Sequence, residues 1–415
     1  MKTKFLIVFA AIAAALTTQS GAQFYDTNGV VVQTFAGSGF YGYLDGVGQL
    51  TMFNQPQRVT ADSFGNLFVF DGGNSRIRKI TPDGNVSTFA GGGAAGLPGY
   101  GTNVSLDNYI GFGSGGAMTT DRSNALVFVS NYNAPMLLTI RTDGLTTVTN
   151  LPGLDNKSGL CFDSGNNLYY SALSANKIYR LRTNGVLEVF VGSGNAGTVD
   201  GNGIFTSFAN PAALACDAAD NIYVWDSGYH LIRRINQNRD VETISGRESP
   251  DEDGVGRDAD FKSISAMSSD NSGNIYLACS TSIRRITAAT NVTTLAGSFS
   301  EIGYVNGEGN LARFSDASGI CVVGGTIYIA DASNHRIRCI TNSPTAQPVL
   351  PANLQLRTYP GLQIVGTVGR TYQVQSSPNT NWTNRAKILL TASPYLWFDQ
   401  EPVSGTKFYR ALLLP

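Results

Sequence analysis

One phrase recurs six times along this chain of 415 residues and limits the folds it can adopt. Each copy joins a Gly/Asn turn, a short apolar run, a turn containing Asp or Asn, and a basic run ending in Ile or Leu. The apolar runs begin 60, 41, 54, 53 and 52 residues apart, at Leu67, Val127, Leu168, Ile222, Ile275 and Ile327. Such spacings fit one four-stranded sheet per copy, with connecting loops of variable length. The repeat therefore predicts a series of similar β-sheets in which recurring residues are mainly structural.

The apolar and basic runs differ in the burial that they predict. The basic run alternates Ile with Arg or Lys, as at residues 76–80, which favours a strand with one buried face and one solvent-exposed face. The preceding run, such as residues 222–225, has no polar alternate and is predicted to be buried on both faces. Each sheet is therefore expected to pack between two neighbours.

The two ends of the repeat region are complementary. The sixth copy stops after Ile340 without a fourth strand, whereas residues 31–37 (Val-Val-Gln-Thr-Phe-Ala-Gly) repeat the fourth-strand pattern of residues 87–91. An N-terminal strand that completes the last sheet would close a ring and remove two exposed sheet edges. We therefore predict that residues 31–37 pair with the sixth copy.

A motif in the sixth copy identifies a family. Asp-x-x-Asn-His-Arg-Ile-Arg at residues 331–338, with the apolar strands and the Thr-Phe-Ala-Gly of residues 88–91, resembles NHL-repeat β-propellers of a secreted bacterial type. The resemblance spans residues 30–341 and implies a six-bladed ring used mainly for binding and scaffolding. Copies three and five have Ala172 and Cys279 at the Asp position, so this turn cannot require Asp for a shared chemical step.

The composition agrees with a large all-β protein and disfavours two classes of partner. The chain has 47 Gly, 18 Tyr and 21 Phe but only 14% charged residues, which is typical of turn-rich β structure. Its 29 basic and 30 acidic residues nearly cancel, whereas proteins that bind nucleic acids or anionic membranes usually carry a basic excess. We therefore expect neither nucleic acid nor a membrane surface as the partner.

The first residues predict export. Lys2 and Lys4 precede an apolar run at residues 5–16, and small residues precede a cleavage point after Ala22, as in a secretory signal peptide. The run is shorter than the roughly 20 residues that a spanning helix needs, and no later segment predicts a transmembrane span. The expected location is secreted, periplasmic or at the cell surface.

Five cysteines in an exported chain raise the question of disulfides. Cys216 and Cys321 occupy equivalent first-strand positions and are predicted to be small packing residues. The absence of paired spacing predicts mostly free thiols, with Cys321 and Cys339 in the last copy as the one bridge worth testing. No Cys-x-x-Cys occurs, and two histidines do not make a zinc site without carboxylates.

A Pro-rich break ends the repeats and divides the chain into four predicted parts. These are a signal peptide at 1–22, a six-bladed propeller at 23–342, a linker at 343–352 and a small C-terminal β domain at 353–415. Short strand patterns predict a small sandwich for the last part. Its motifs, such as residues 369–377 and Trp382, resemble C-terminal modules of secreted environmental bacterial proteins, which leaves sorting, surface attachment and glycan contact open.

The loops that enter the first strand of each sheet are the candidate functional region. They carry Asp/Asn-Gly-x-Gly elements at residues 45–48, 200–203, 253–256 and 306–309. Such elements could ligate calcium, but Asp-Gly and Asn-Gly are also standard turn dipeptides, and we favour the turn interpretation. Aromatic and acidic residues on this side of the ring are predicted to flank a central depression that binds a ligand: Tyr43, Asp45, Trp225, Tyr229 and Tyr304.

The sequence assigns no catalytic residues and no metal ligands. His230 and His335 both lie four residues after a repeat Asp, so a periodic structural role is favoured over a catalytic pair. We predict a monomeric, exported, non-enzymatic propeller without a required cofactor, which binds an extracellular protein, peptide or glycan through its loop-rich face. The alternative is a calcium-dependent hydrolase or lactonase in the central channel, because some propeller relatives of that class use Glu, Asn and Asp around calcium.

Overall fold

The computed structural model describes most of the repeat region and the strands of the C-terminal domain. The described residues are 29–107, 116–130, 135–155, 157–247, 251–342, 353–357, 361–365, 369–377, 383–390, 395–398 and 408–414. The predicted signal peptide and the predicted linker at 343–352 lie outside them. Within the described part, no helix is both long and apolar enough to cross a membrane.

Six antiparallel sheets form the blades of a β-propeller, and their four main strands run in chain order from the central channel outward, except that the N-terminal strand is the outer strand of blade 6. Blade 1 comprises Pro56–Ala61, Leu67–Asp71, Arg76–Ile80 and Asn85–Ala90. Blade 2 comprises Met118–Thr120, Leu126–Val129, Leu137–Ile140 and Leu145–Thr149. Blade 3 comprises Leu160–Phe162, Leu168–Ala172, Lys177–Leu181 and Leu187–Val191. Blade 4 comprises Pro211–Cys216, Ile222–Asp226, Leu231–Ile235 and Asp240–Ser245. Blade 5 comprises Ala266–Ser269, Ile275–Cys279, Ser282–Ile286 and Asn291–Gly297. Blade 6 comprises Ala317–Val323, Thr326–Asp331, Arg336–Asn342 and Val30–Ala36. The predicted six-bladed, all-β architecture is confirmed.

Short edge strands extend the outer side of five blades, and blade 3 has four strands. They belong to the entering loops and are Gly46–Val47, Gly99–Tyr100, Gly201–Asn202, Gly254–Val255 and Gly307–Glu308. A 3-10 helix follows four of the five, at Gly48–Leu50, Gly101–Asn103, Gly203–Phe205 and Gly256–Asp258. Two further 3-10 helices, Gly72–Asn74 and Ala332–Asn334, join second and third strands. The Gly-x-Gly elements thus add to the rim of the ring.

The N-terminal strand closes the ring as predicted. Val30–Ala36 pairs antiparallel with Arg336–Asn342, with Val32 opposite Ile340. Val32 is fully buried and packs in one cluster with Ile283 and Leu295 of blade 5. The first described strand therefore joins the last blade to the rest of the ring.

Burial along the strands confirms one expectation and corrects another. All five residues of Leu67–Asp71 and of Ile222–Asp226 are buried, as predicted for second strands. The third strands do not simply alternate buried Ile with exposed Arg, because one arginine in each of four blades is fully buried. These are Arg78, Arg233, Arg284 and Arg338. The prediction of a solvent-exposed basic face is wrong at these positions, because acidic or amide side chains meet the guanidinium inside the blade.

The C-terminal domain contains two three-stranded sheets, consistent with the predicted small sandwich. One sheet comprises Asn353–Arg357, Gly361–Val365 and Tyr395–Phe398, and the other Thr371–Ser377, Thr383–Leu389 and Phe408–Leu413. Arg370 forms an ion pair of 2.9 Å with Glu308 on the edge strand of blade 6. Both side chains are about half exposed, so this contact contributes little stability by itself.

All five cysteines are free thiols in the structure. The bridge considered between Cys321 and Cys339 is wrong, because Tyr328 on the intervening strand is the register partner of both residues. Two strand spacings of about 4.8 Å separate the two cysteines by roughly 10 Å, which exceeds the reach of a disulfide.

Candidate binding site in the central channel

A cavity of about 670 Å³ occupies the central channel, and residues of all six blades line it. We call it the channel cavity. About half of its wall comes from the inner strands and most of the rest from the loops beside them, and Arg58, Lys157, Asn210, Trp225 and Asp316 are among its lining residues. Its volume lies within the range of pockets that bind small molecules or short polymer segments.

The chain path explains why the cavity has polar residues at its mouth. Pro56 lies opposite Asp71, so each inner strand begins on the face where the second strand ends. Just before their inner strands, Gln55, Asn210 and Asp316 have φ values of 51°, 53° and 62°. Asn and Asp adopt this left-handed conformation more readily than most residues.

Backbone hydrogen bonds hold these three entry points. The carbonyl oxygens of Gln55, Asn210 and Asp316 accept N–H groups from the following turns at 3.3, 3.3 and 3.0 Å. The left-handed residue therefore turns the chain from the long loop into the channel wall. This geometry leaves the polar side chains of all three residues on the cavity lining.

Arg58 and Asp316 form the charged part of the cavity. Arg58 Nη1 donates hydrogen bonds to the carbonyl oxygens of Gln57 at 2.9 Å and Ser318 at 2.5 Å. Desolvation lowers the pKa of Arg58 to about 10, opposed by the charge of Asp316, so the guanidinium is protonated at neutral pH. Desolvation also raises the pKa of Asp316, and Arg58 opposes that shift. With the exposed Lys157, the described lining carries two cations and one carboxylate.

The described residues offer amide, hydroxyl and guanidinium groups rather than a cluster of metal ligands. Within the described part of the chain, no group of three His, Cys, Asp or Glu side chains could hold a metal ion. Asp316 is the one carboxylate on the described lining of the channel cavity. This donor set suits the recognition of hydroxyl, amide and carboxylate groups.

Trp225 is the one predicted ligand-binding aromatic that lines the channel cavity in the described structure. Its side chain is 3% exposed and packs edge-on against Phe261, with ring centroids 6.1 Å apart. The ring of His230 stacks on it at 5.8 Å. Tyr229 is half-buried in the turn that follows, where its N–H bonds to the carbonyl of Asp226.

Tyr43, Asp45 and Tyr304 lie away from the channel, on the outer part of blades 1 and 6. Tyr43 Oη is 2.7 Å from the hydroxyl of Thr88, which is on an outer strand. Tyr304 Oη is likewise 2.8 Å from Thr34 Oγ1. Both rings stack on guanidinium groups of third strands. The five predicted residues therefore do not share one central depression, because these three fasten the entering loops to the outer strands.

Asp45 belongs to a repeated contact that we call the loop–arginine bridge. It consists of an Asp or Asn in an entering loop, a buried third-strand Arg, and, in three blades, the Asp that ends the second strand. Arg78 donates to Asp45 at 2.5 Å and to Asp71 at 2.9 Å. The other bridges are Asp200–Arg233–Asp226, Asp253–Arg284 and Asn306–Arg338–Asp331. The recurring loop acid is thus explained without a ligand.

Comparison with known proteins finds a repeat motif in the last blade and one curated relative. The NHL repeat model matches residues 314–340, which include the inner and second strands of blade 6 and the third strand as far as Ile340. The chain thus contains a match to the NHL repeat in blade 6 and folds as a six-bladed β-propeller. It is 25% identical over 323 residues to the protein SUPPRESSOR OF QUENCHING 1, chloroplastic, of Arabidopsis thaliana. That alignment covers 73% of this chain but about a quarter (26%) of the curated relative's length.

Solved structures share the propeller fold of this chain. A protein of unknown function from Bacteroides thetaiotaomicron has a TM-score of 0.59 and 17% identity, over 75% of this chain and 76% of that chain. An auxiliary nutrient binding protein from the same organism has a TM-score of 0.56 and 19% identity, with the same coverage of both chains. Identities this low show the fold alone.

The sequence contains a recognisable signal for two of the residues that line the channel cavity. Arg58 is the one charged residue within the six inner strands, which otherwise contain apolar, small or neutral polar residues. Asn210 directly precedes a proline that begins an inner strand, a combination that marks a turn. Lys157 and Asp316 gave no comparable pattern, because their place in the cavity depends on how the loops fold.

The two histidines occupy one recurring structural position in the blades. His230 and His335 have φ values of 55° and 53°, and Ser75 and Asn176 hold the same left-handed position in blades 1 and 3. His335 Nδ1 also accepts the N–H of Gln55 at 3.1 Å. Each side chain follows the turn between second and third strands, so the repeat alone accounts for its placement.

We expect the double variant His230→Asn, His335→Asn to fold normally and lose no more than about 1 to 2 kcal/mol of unfolding free energy. Asn tolerates left-handed φ and keeps a polar side chain at each turn. The matched change His335→Val should cost more, because a β-branched residue is strained at this φ. Urea denaturation of the three proteins measures the difference. Equal stability of the Asn and Val variants would contradict this structural role.

Proposed function

We propose that this NHL propeller is an exported, monomeric binding scaffold that takes a short segment of a peptide or glycan into the channel cavity from its loop-rich face. The observation that carries the proposal is a cavity of about 670 Å³ lined by all six blades and entered beside Asn210 and Asp316. Pockets of this size with few fixed polar groups are typical ligand sites.

The charges of the cavity favour a ligand with an acidic group. Arg58 and Lys157 outnumber the single described carboxylate, Asp316. A guanidinium and an ammonium attract a carboxylate, such as a peptide C-terminus or a uronic acid. The hydroxyl and amide groups of Ser263, Ser265 and Asn210 suit the neutral part of such a chain.

Two further observations support an exported binding role. The segment at 1–22 has the pattern of a signal peptide, and the fold is shared with a protein described as an auxiliary nutrient binding protein. The second argument is an analogy at the level of fold. A calcium-dependent hydrolase would need several oxygen ligands around one ion, and the described lining offers one carboxylate, which favours binding over that alternative.

The location of the site can be tested by filling the cavity. Ser265 is half-buried on the lining, so Ser265→Trp should place a large ring in the channel and weaken ligand binding by tenfold or more, equivalent to about 1.4 kcal/mol. Acidic and neutral oligosaccharide and peptide libraries provide the ligands, and titration calorimetry measures the affinity of each hit. Melting of the variant by circular dichroism checks that the ring remains folded.

Charge variants test the chemistry of the ligand. Lys157→Ala should weaken an acidic ligand, and Asp316→Asn should strengthen it by removing a like charge. Lys177→Ala on a third strand is the matched control and should leave affinity unchanged. If Tyr43→Ala on the outer loop weakens binding while Ser265→Trp has no effect, ligands bind at the rim and the channel proposal is wrong.

A further inference from the structure

The inner strands of blades 3 and 4 approach each other unusually closely at one point. The N–H of Gly159 donates to the carbonyl oxygen of Ala212 at 3.1 Å. A Cβ atom at Gly159 would lie 2.3 Å from that oxygen, so only glycine allows this approach. Cys161 lies two residues beyond Gly159, and Cys216 ends the facing strand.

The two cysteines face each other across the interface between these blades. Side chains alternate along a strand, and Leu214 and Cys216 pack in the same cluster as Cys161, whereas Ala215 packs in the cluster shared with blade 5. This packing brings the Cys216 side chain beside the Cys161 thiol. This contact, with burial of Cys161, raises the pKa of the Cys161 thiol.

Accessibility gives the two thiols different chemical roles. Cys161 is buried, whereas Cys216 is partly exposed. A dissolved oxidant would therefore reach Cys216 first. The Cys161 thiol, already in contact with it, is placed to complete the bond.

We propose that Cys161 and Cys216 form a disulfide under oxidising conditions and so cross-link the inner strands of blades 3 and 4. The thiolate of Cys216 attacks a low-molecular-weight disulfide such as oxidised glutathione and releases one thiol. Cys161 loses its proton and attacks the Cys216 sulfur of the mixed disulfide, which releases the second thiol. Two protein thiols are oxidised and one glutathione disulfide is reduced, so atoms and electrons balance.

The cross-link would act where the ring has the fewest other restraints. Blade 3 has four strands, whereas each of the other blades has five. On its third strand, Tyr179 occupies the position at which blades 1, 4, 5 and 6 have a fully buried arginine. Leu160 directly precedes Cys161, Leu214 lies two residues before Cys216, and both leucines line the channel cavity. Oxidation would therefore fix one wall of that cavity, whatever ligand the cavity binds.

Mass spectrometry of the mature chain tests the bond directly. The reduced protein is incubated with oxidised glutathione, alkylated after denaturation and digested. We expect a peptide pair joined through residues 161 and 216, three alkylated cysteines, and an intact mass lower by two hydrogens. The midpoint of thermal unfolding should rise by about 4 to 8 °C and return after reduction.

Two sets of variants complete the test. Cys161→Ala and Cys216→Ala should each abolish the cross-link and the thermal shift. The double variant Cys321→Ala, Cys339→Ala should retain both, because Tyr328 separates those residues. Five alkylated cysteines after oxidation of the wild-type protein, a stable glutathione adduct on Cys216, or a cross-link elsewhere would overturn the proposal.

Discussion

Deletion of residues 31–37 is expected to abolish cooperative folding of the propeller. The strand Val30–Ala36 supplies the outer strand of blade 6, and its removal exposes the edge of Arg336–Asn342. It also removes Val32 and Ala36, which are fully buried. An open sheet edge beside an exposed core promotes aggregation. Thermal and urea unfolding followed by circular dichroism, together with light scattering, would detect the loss.

Two controls separate ring closure from simple shortening. A chain beginning at Gly29 keeps the strand and should unfold like the protein beginning at Gln23. Val32→Asp should reproduce the defect of the deletion because it buries a charge, whereas Gln33→Asp places the same charge on the exposed side of the strand. Unchanged melting of the deletion variant would refute closure by the N-terminal strand.

The architecture was predictable because it repeats. Apolar second strands recur at similar spacings. The sixth copy has no fourth strand after Ile340, and the extra strand at residues 31–37 has the sequence pattern of a fourth strand. Both signals are periodic, so each copy supports the interpretation of the others. Single-copy features gave no such support, and the strands of the C-terminal domain were predicted from local patterns alone.

The candidate site was predicted only in part. The sequence predicted that the entering loops and the turns after the second strands share one face, and they do, because inner strands begin where second strands end. It did not indicate how far each side chain lies from the axis, and Tyr43 and Tyr304 turned out to stack on arginines at the rim. Arg58 and Asp316 meet only through the closed ring, since 258 residues of chain separate them.

The cysteines show the same limit of sequence reasoning. Cys321 and Cys339 are close in sequence and share a blade, but an intervening strand separates them. Cys161 and Cys216 belong to different copies, yet their thiols are in contact. Contacts between blades depend on the direction of each inner-strand side chain and on close approaches such as Gly159, which spacing alone does not report.

Loss of one buried arginine is expected to destabilise the ring far more than loss of its exposed neighbour. Arg233 donates to Asp226 at 3.1 Å and to Asp200 at 2.7 Å, and its side chain is fully buried. Arg233→Met leaves Asp226 buried without its cation, which should cost about 3 to 5 kcal/mol. Urea denaturation at pH 8 measures this loss.

The adjacent residue provides the matched control. Arg234 is on the same strand but pairs with Glu242 near the surface, where both side chains are partly exposed. Arg234→Met should therefore change the unfolding free energy by no more than about 1 kcal/mol. Adding Asp226→Asn to Arg233→Met should restore part of the loss, because Asn still accepts the N–H of Ala209 without carrying a charge.

The stability loss in Arg233→Met should also depend on pH in a defined direction. Desolvation raises the pKa of Asp226 to about 7 in the folded protein, against the opposing hydrogen bond from Ala209 and the charge of Arg233. The unfolded carboxyl titrates near 4, so the folded state binds this proton more tightly, and the contribution of Asp226 to stability falls as pH rises from 4 through 7.

Removing the Arg233 cation raises the pKa of Asp226 in the folded protein further. The difference between wild type and Arg233→Met should therefore be smaller at pH 5, where Asp226 is neutral, than at pH 8. A difference that is independent of pH, or equal losses for Arg233→Met and Arg234→Met, would show that the buried ion pair does not account for the stability of blade 4.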